Sequence, residues 1–244
     1  MDLYNSFIQD TEAMLGAPRA KWAYAERNAW KDTGESELVL MRDAAFELGG
    51  SGKGAVNFTC VTSDPNLIDT DEVLLYGPDL KEIKGDVPFA RIVVLGVDGI
   101  SGEEQDAYNA IRNMEFVKYH VFPEGYMMRV SPESSREQIR VSKKAVKKGI
   151  SFQSVGCDFI KQYKKNPQIK HVRVIFITDP NVDYKKLLET ANKVNDVTKT
   201  MNTILEGLPE DVDCAHCSFK PVCDEVEGLK ELHFGKDGMK KMQK

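Results

Sequence analysis

The sequence predicts a mixed α/β (α+β) fold, a single mixed-sheet domain flanked by helices with a small C-terminal cysteine-rich metal-binding segment. Three observations predict it. Short apolar or alternating runs separated by turn residues fill the stretch from Glu37 to Leu95. Segments with helical spacing of apolar residues bracket these runs and alternate with later ones. Three of the five cysteines crowd into Cys214-Ala-His-Cys217-Ser-Phe-Lys-Pro-Val-Cys223. Boundaries follow from these textures: an N-terminal helical segment over 1–35, the α/β domain over 36–208, and the cysteine-rich segment with its tail over 209–244.

Leu3, Phe7, Ile8, Met14 and Leu15, then Trp22 to Ala25 and Trp30, predict two helices broken at Gly16 and Pro18. Leu38–Met41, Ala55–Val61, Val73–Tyr76 and Phe89–Leu95 read as strands. Gly49–Gly54, Asp64-Pro65 and Gly77-Pro78-Asp79 turn the chain between them. Ser101-Gly102-Glu103-Glu104 opens a helix reaching about Asn113. Phe116–Phe122 and Tyr126–Val130 are strand candidates. Ser131-Pro132-Glu133-Ser134 has the cap-then-proline form of a helix start, which predicts a helix to Lys148, closed by Gly149. A further helix spans Ser151 to Lys165. Ile169–Thr178 is nearly continuously apolar in its second half, as a strand buried on both faces should be. Asp183 then caps a long amphipathic helix that ends at Gly207-Leu208-Pro209.

Composition narrows the function. A hydrophobic content of 41% beside 29% charged residues is that of a soluble globular domain. The net charge of −5 provides no basic field for nucleic acid. No apolar stretch reaches the roughly 20 residues needed to cross a bilayer, so no membrane partner is expected. The polar, acidic N-terminus lacks the pattern of a secretory leader, and an odd number of cysteines points to reduced thiols. A cytoplasmic location is the expectation.

The glycine cluster Gly49-Gly50-Ser51-Gly52-Lys53-Gly54 is not a phosphate loop. It lacks the spacing, and Gly54 stands where Ser or Thr would bind magnesium. His120 and His171 lie in strand-like runs and read as partly buried side chains. Arg136, Arg140 and Lys144 would share one face of the predicted helix, with Arg129 just before it, a basic stripe able to meet an anion such as a nucleotide phosphate. Cys214, Cys217 and Cys223 have the close spacing with which thiolates converge on a soft metal, and spacing alone leaves iron–sulfur and zinc both open. Glu210, Asp211, Asp213, Asp224 and Glu225 surround them and would not favour thiolates without a metal. His216, His233, Cys157 or a group from outside the chain would complete the set, while Cys60 and Cys157 also read as structural.

Several segments together resemble the acetyl-CoA synthase (beta) subunit of the carbon monoxide dehydrogenase/acetyl-CoA synthase complex. They are Phe46-Glu47-Leu48-Gly49-Gly50, Leu75-Tyr76-Gly77-Pro78-Asp79-Leu80, Tyr126-Met127-Met128-Arg129-Val130-Ser131, Val174-Ile175-Phe176-Ile177-Thr178-Asp179 and the cysteine cluster, spread over roughly 40–223. The resemblance implies a mixed α/β middle domain linked to coenzyme A binding, which directs attention to Arg129, Arg136 and Arg140. It also implies a [4Fe–4S] cluster on Cys214, Cys217 and Cys223, with zinc as the alternative. Partners would be carbon monoxide dehydrogenase/acetyl-CoA synthase or corrinoid protein subunits. The family's Cys-Gly-Cys nickel motif does not occur in the chain, so nickel and independent carbon–carbon bond formation are not expected of it. Three classes follow: a subunit in one-carbon chemistry, a non-catalytic metal or electron-transfer protein, and an acyl-CoA or nucleotide binder with a structural metal.

Overall fold

The computed structural model describes residues 3–35, 37–50, 52–98, 104–130, 135–205, 217 and 220–225. Its centre is β8 (Ile169–Ile177), the strand whose apolar second half is buried throughout. On one side β8 runs parallel to β4 (Glu72–Tyr76), which pairs antiparallel with the edge strand β1 (Ala20–Ala23). On the other it runs antiparallel to β5 (Phe89–Val97), followed in parallel by β3 (Ala55–Thr62). The mixed sheet thus has the order β1-β4-β8-β5-β3. All residues of β3, β4 and β5 are buried, as strands covered on both faces must be.

Adjacent residues of β8 show which helices cover which face. Phe176 packs against Phe152 and, edge to face, Phe159 of α4 (Phe152–Tyr163), with ring centroids 4.7 and 6.4 Å away. Ile175 points the other way, into a site shared with Ile8 and Thr11 of α1 (Asn5–Leu15). α1 is tied by Tyr4 to Thr198 of α5 (Tyr184–Leu205) at 2.9 Å, and α5 packs in turn on β3 and on α2 (Glu104–Phe116). Among the described residues, α4 therefore covers one face of the sheet, and α1, α2 and α5 gather at the other.

A second, antiparallel sheet has the order β2-β7-β6, from Ala45–Leu48, Glu137–Ser142 and Tyr126–Val130. It packs against β3 and β5. The turn from β2 to β3 is the glycine cluster. Gly49 has φ +68°, and a Cβ there would stand 2.8 Å from the Glu137 carbonyl oxygen, so the site requires glycine.

Four expected elements differ. Residues 20–28 form β1 and a short 3-10 turn rather than a second helix, because Trp22 alternates with exposed Lys21 and Ala23 along an edge strand. Leu38, Leu40 and Met41 are exposed and outside any strand. Phe116 ends α2, and 117–120 continue as a 3-10 turn rather than a strand. The helix expected up to Lys148 is β7 followed by a short α3 (Lys143–Lys148), capped by Ser142, whose Oγ accepts from the Lys144 amide at 3.2 Å. Glu137, Ile139 and Val141 alternate inward with outward Arg136, Gln138 and Arg140, a period of two. The expected start at 131–134 lies outside the described residues, as do 206–216 and 226–244.

Candidate functional site

β5 carries one cation, Arg91, in an otherwise almost wholly apolar strand, and it is only 1% exposed. A buried guanidinium needs a partner, since an unpaired charge in an apolar interior is strongly unfavourable. Glu137 of β7 provides it. Its Oε1 and Oε2 accept from the Arg91 Nε at 3.0 and 3.1 Å, and Oε2 also accepts from Nη2. The guanidinium lies over the Phe159 ring, 4.3 Å from its centroid. This forked pair joins the two sheets.

Beside the pair, the 3-10 turn Val117–His120 places Lys118 against Asn57 of β3, its Nζ donating to Oδ1 at 3.1 Å. Burial, followed by the nearby Arg91 charge, pulls the Lys118 ammonium below the usual lysine range. Glu115 is pushed the other way by burial, and Arg112 reaches it at 3.4 Å. A cavity of about 190 Å³ opens here, lined by Lys118, Tyr119, Val121, Phe122, Tyr126 and Met128, with exposed Glu37 also on its wall. Lys118 and Tyr119 line a second, smaller depression together with Asn57, Arg112, Glu115, Phe116 and Asn195. The Tyr126 hydroxyl and the Asn57 amide nitrogen are buried without a hydrogen-bond partner among the described residues. Tyr126 lines the larger cavity and Asn57 the smaller depression, so each wall carries a donor that no described protein group satisfies.

Sequence reasoning overlooked Lys118, Tyr126, Asn57, Arg91 and Glu137. A signal existed for Arg91: a lone charge inside a nine-residue buried strand implies an opposite charge elsewhere. Nothing local marks Tyr126 or Asn57.

The three arginines do share a surface, but on a sheet rather than a helix. Register pairs Arg129 with Gln138 and Met127 with Arg140, so Arg129 and Arg140 are diagonal neighbours on the outer face of the small sheet, and Arg136 precedes β7 at its end. Arg129 and Arg136 are exposed. Arg140 donates through Nε to Glu47 at 2.6 Å and through Nη1 to the Leu40 carbonyl at 3.1 Å. Arg140 thus anchors the segment before β2.

Cys217 and Cys223 are half-buried thiols, with Cys223 on α6 (Lys220–Glu225). The Cys217 carbonyl accepts from the Lys220 amide at 3.1 Å. Val222 and Cys223 pack against the core, where α6 meets α5. Two reduced, partly accessible sulfurs fit a soft metal. Among the described residues no group of three or more His, Cys, Asp and Glu side chains stands ready to hold one. Cys214, His216 and His233 lie outside the described residues. Cys157 is buried in α4, on the opposite face of the large sheet from α1 and α5, so it is not brought to Cys217 and Cys223. Burial pushes the Cys60 and Cys157 thiols up and keeps both protonated. His171 is half-buried in β8 as expected, whereas His120 is exposed at the end of the 3-10 turn. No helix among the described residues is long and apolar enough to cross a membrane.

The sequence matches the family described as the CO dehydrogenase/acetyl-CoA synthase complex beta subunit over residues 31–182, more than half of the chain. The chain belongs to that family, which gives it an acetyl-CoA-synthase-related function in CO and acetyl-CoA metabolism. The match covers β2 to β8, both buried partners Arg91 and Glu137, and the arginine face, and it ends before α5 and before Cys214, Cys217 and Cys223. Comparison with curated proteins finds no match.

Proposed function

We propose that this chain is a coenzyme-A-binding, iron–sulfur-bearing module of an acetyl-CoA-synthase-type assembly in the cytoplasm, acting beside carbon monoxide dehydrogenase or corrinoid subunits. The observation that carries the reading is the family match from β2 to β8. Support for the cluster comes from the thiols of Cys217 and Cys223, which follow α5 where α6 packs against the core. Cys214, Cys217 and Cys223 would hold a [4Fe–4S] cluster, which would supply electron transfer or an open iron for a partner's thiolate. The fourth ligand would be His216, His233 or a group from a partner. Exposed Arg129 and Arg136 would meet the phosphates of coenzyme A, as guanidinium groups pair well with phosphate. The chain contains no Cys-Gly-Cys, so acetyl transfer through nickel is assigned to the assembly and not to this chain.

Anaerobic purification with metal analysis, an absorption spectrum and a coenzyme A titration tests this. The expected outcome is a brown protein with about four irons per chain, as one cubane contains, and loss of the iron in Cys217→Ser. Stoichiometric zinc without a visible band would sink the cluster assignment. Coenzyme A binding that is absent, or unchanged in Arg129→Ala, would remove the arginine assignment.

A further inference from the structure

We propose that the cleft between the 3-10 turn at 117–120 and the inner face of the small sheet is a binding site for a small, singly charged carboxylate of a few carbons. This inference does not rest on the cysteine or arginine assignments. The cleft lies under the opposite face of the small sheet from Arg129 and Arg140, since Tyr126 and Met128 alternate with Met127 and Arg129 along β6.

Charge makes the first part of the argument. Two carboxylates whose charge reaches Lys118 are engaged elsewhere: Glu137 holds Arg91 through both oxygens, and Glu115 is contacted by Arg112. Lys118 itself donates to a neutral amide oxygen, that of Asn57. A partly buried ammonium with a neutral acceptor is short of negative charge, and an anion in the cavity would supply it.

The second observation is Tyr126. This residue is 2% exposed, lines the same cavity, and its buried hydroxyl lacks a hydrogen-bond partner among the described residues. Such a group costs stability unless something accepts from it. A carboxylate has one oxygen for Lys118 and another for Tyr126, and so would satisfy both.

Size and surroundings select the ligand. At about 190 Å³ the cavity is smaller than the roughly 300–1,000 Å³ pockets that take drug-sized molecules. Val121, Phe122 and Met128 give it an apolar wall for a short alkyl tail. The exposed carboxylate of Glu37, whose Oε2 accepts from the Gly125 amide, adds one negative charge that opposes doubly charged ions. A monocarboxylate is therefore favoured over inorganic phosphate.

The test is a titration of the full chain, labelled with nitrogen-15, using formate, acetate, propionate and butyrate, with inorganic phosphate alongside. Saturable amide shifts should appear between residues 117 and 128 for at least one carboxylate, and phosphate should bind more weakly. Lys118→Gln should weaken binding at least tenfold, and Tyr126→Phe about tenfold, in line with the loss of one charge-assisted hydrogen bond. Tyr126→Phe removes only a hydroxyl with no protein partner among the described residues, so its thermal midpoint without ligand should equal or exceed the parent's, which keeps the test independent of folding. Absence of saturable shifts, equal binding in both variants, or tighter binding of phosphate would each overturn the proposal.

Discussion

The two sheets of this protein differ in how their buried charges are met. The five-stranded sheet is enclosed by apolar side chains on both faces, from Phe176 against α4 to Ile175 beside α1. Most of its buried positions are Val, Ile, Leu and Phe, and its buried charges are Arg91 of β5 and Glu72 of β4, the latter met in register by Arg173 of β8. The three-stranded sheet has Val39, Ala45 and Met127 as a small outer cluster, and on its inner face, among Leu48, Tyr126, Ile139 and Val141 of the main core, it buries a glutamate that is 0% exposed. That glutamate fits in one place, opposite Arg91. Both sheets rest on hydrophobic burial, and the Arg91–Glu137 pair adds a polar constraint on where the small one meets the large one.

The largest expected effect comes from breaking that pair on one side. Glu137→Gln leaves Arg91 buried and unpaired, and should cost about 3–5 kcal/mol in urea unfolding. The double variant Arg91→Met/Glu137→Leu should be markedly less damaged than the single one, since a buried pair exchanged for apolar groups of similar volume is often neutral. If the single and double variants are equally unstable, the pair does not position the sheet and the contrast between the sheets collapses.

The same contrast explains what was legible in the sequence. β3, β4, β5 and β8 were readable because continuous apolar runs between turn residues have few other solutions, and α1, α4 and α5 because their apolar stripes carry the helical period. β7 was misread although Glu137-Gln138-Ile139-Arg140-Val141-Ser142 alternates. A buried charge at its first position and a Ser-Pro before it look like an exposed helix start to any local reading. β1 failed for the opposite reason, since Trp22 and Tyr24 fit a helical stripe as well as an edge strand. The cleft was invisible because Lys118, Asn57 and Tyr126 are joined only by tertiary packing. The cysteines were conspicuous as a pattern, yet their geometry depends on residues outside those described.

A smaller and pH-dependent effect marks the place where the large sheet's helix layer meets the loop leading to the small sheet. Asp158 of α4 is buried, with Oδ2 lacking a partner among the described residues, and burial together with the charge of Asp32 pushes its carboxyl up to about 8. Asp32 in turn accepts from Gln162 at 2.9 Å. The folded protein keeps the Asp158 proton where the unfolded chain has already lost it. Stability should therefore be highest in this respect near the usual aspartate range, fall as pH rises, and level off above about 8. Asp158→Asn should come nearest the parent at about pH 4 and exceed it at pH 8 in thermal midpoint. A difference between the two that does not change with pH would rule out this titration.

The smallest effect is expected at Arg140, and it separates structural from ligand-binding charge on the outer face of the small sheet. Arg140 and Glu47 are 19% and 15% exposed, and the arginine also holds the Leu40 carbonyl. The pair is mostly buried but still reached by water, so Arg140→Ala should cost about 1 kcal/mol, the upper end for pairs that water screens. Its consequence should be local: faster amide exchange at residues 39–41 and at Glu47, with exchange in β8 unchanged. Coenzyme A binding should respond less to Arg140→Ala than to Arg129→Ala, because Glu47 already neutralises the first guanidinium while the second lies exposed. A larger loss of affinity in Arg140→Ala than in Arg129→Ala would mean that Glu47 releases Arg140 to the ligand, and that the loop anchor doubles as the phosphate contact.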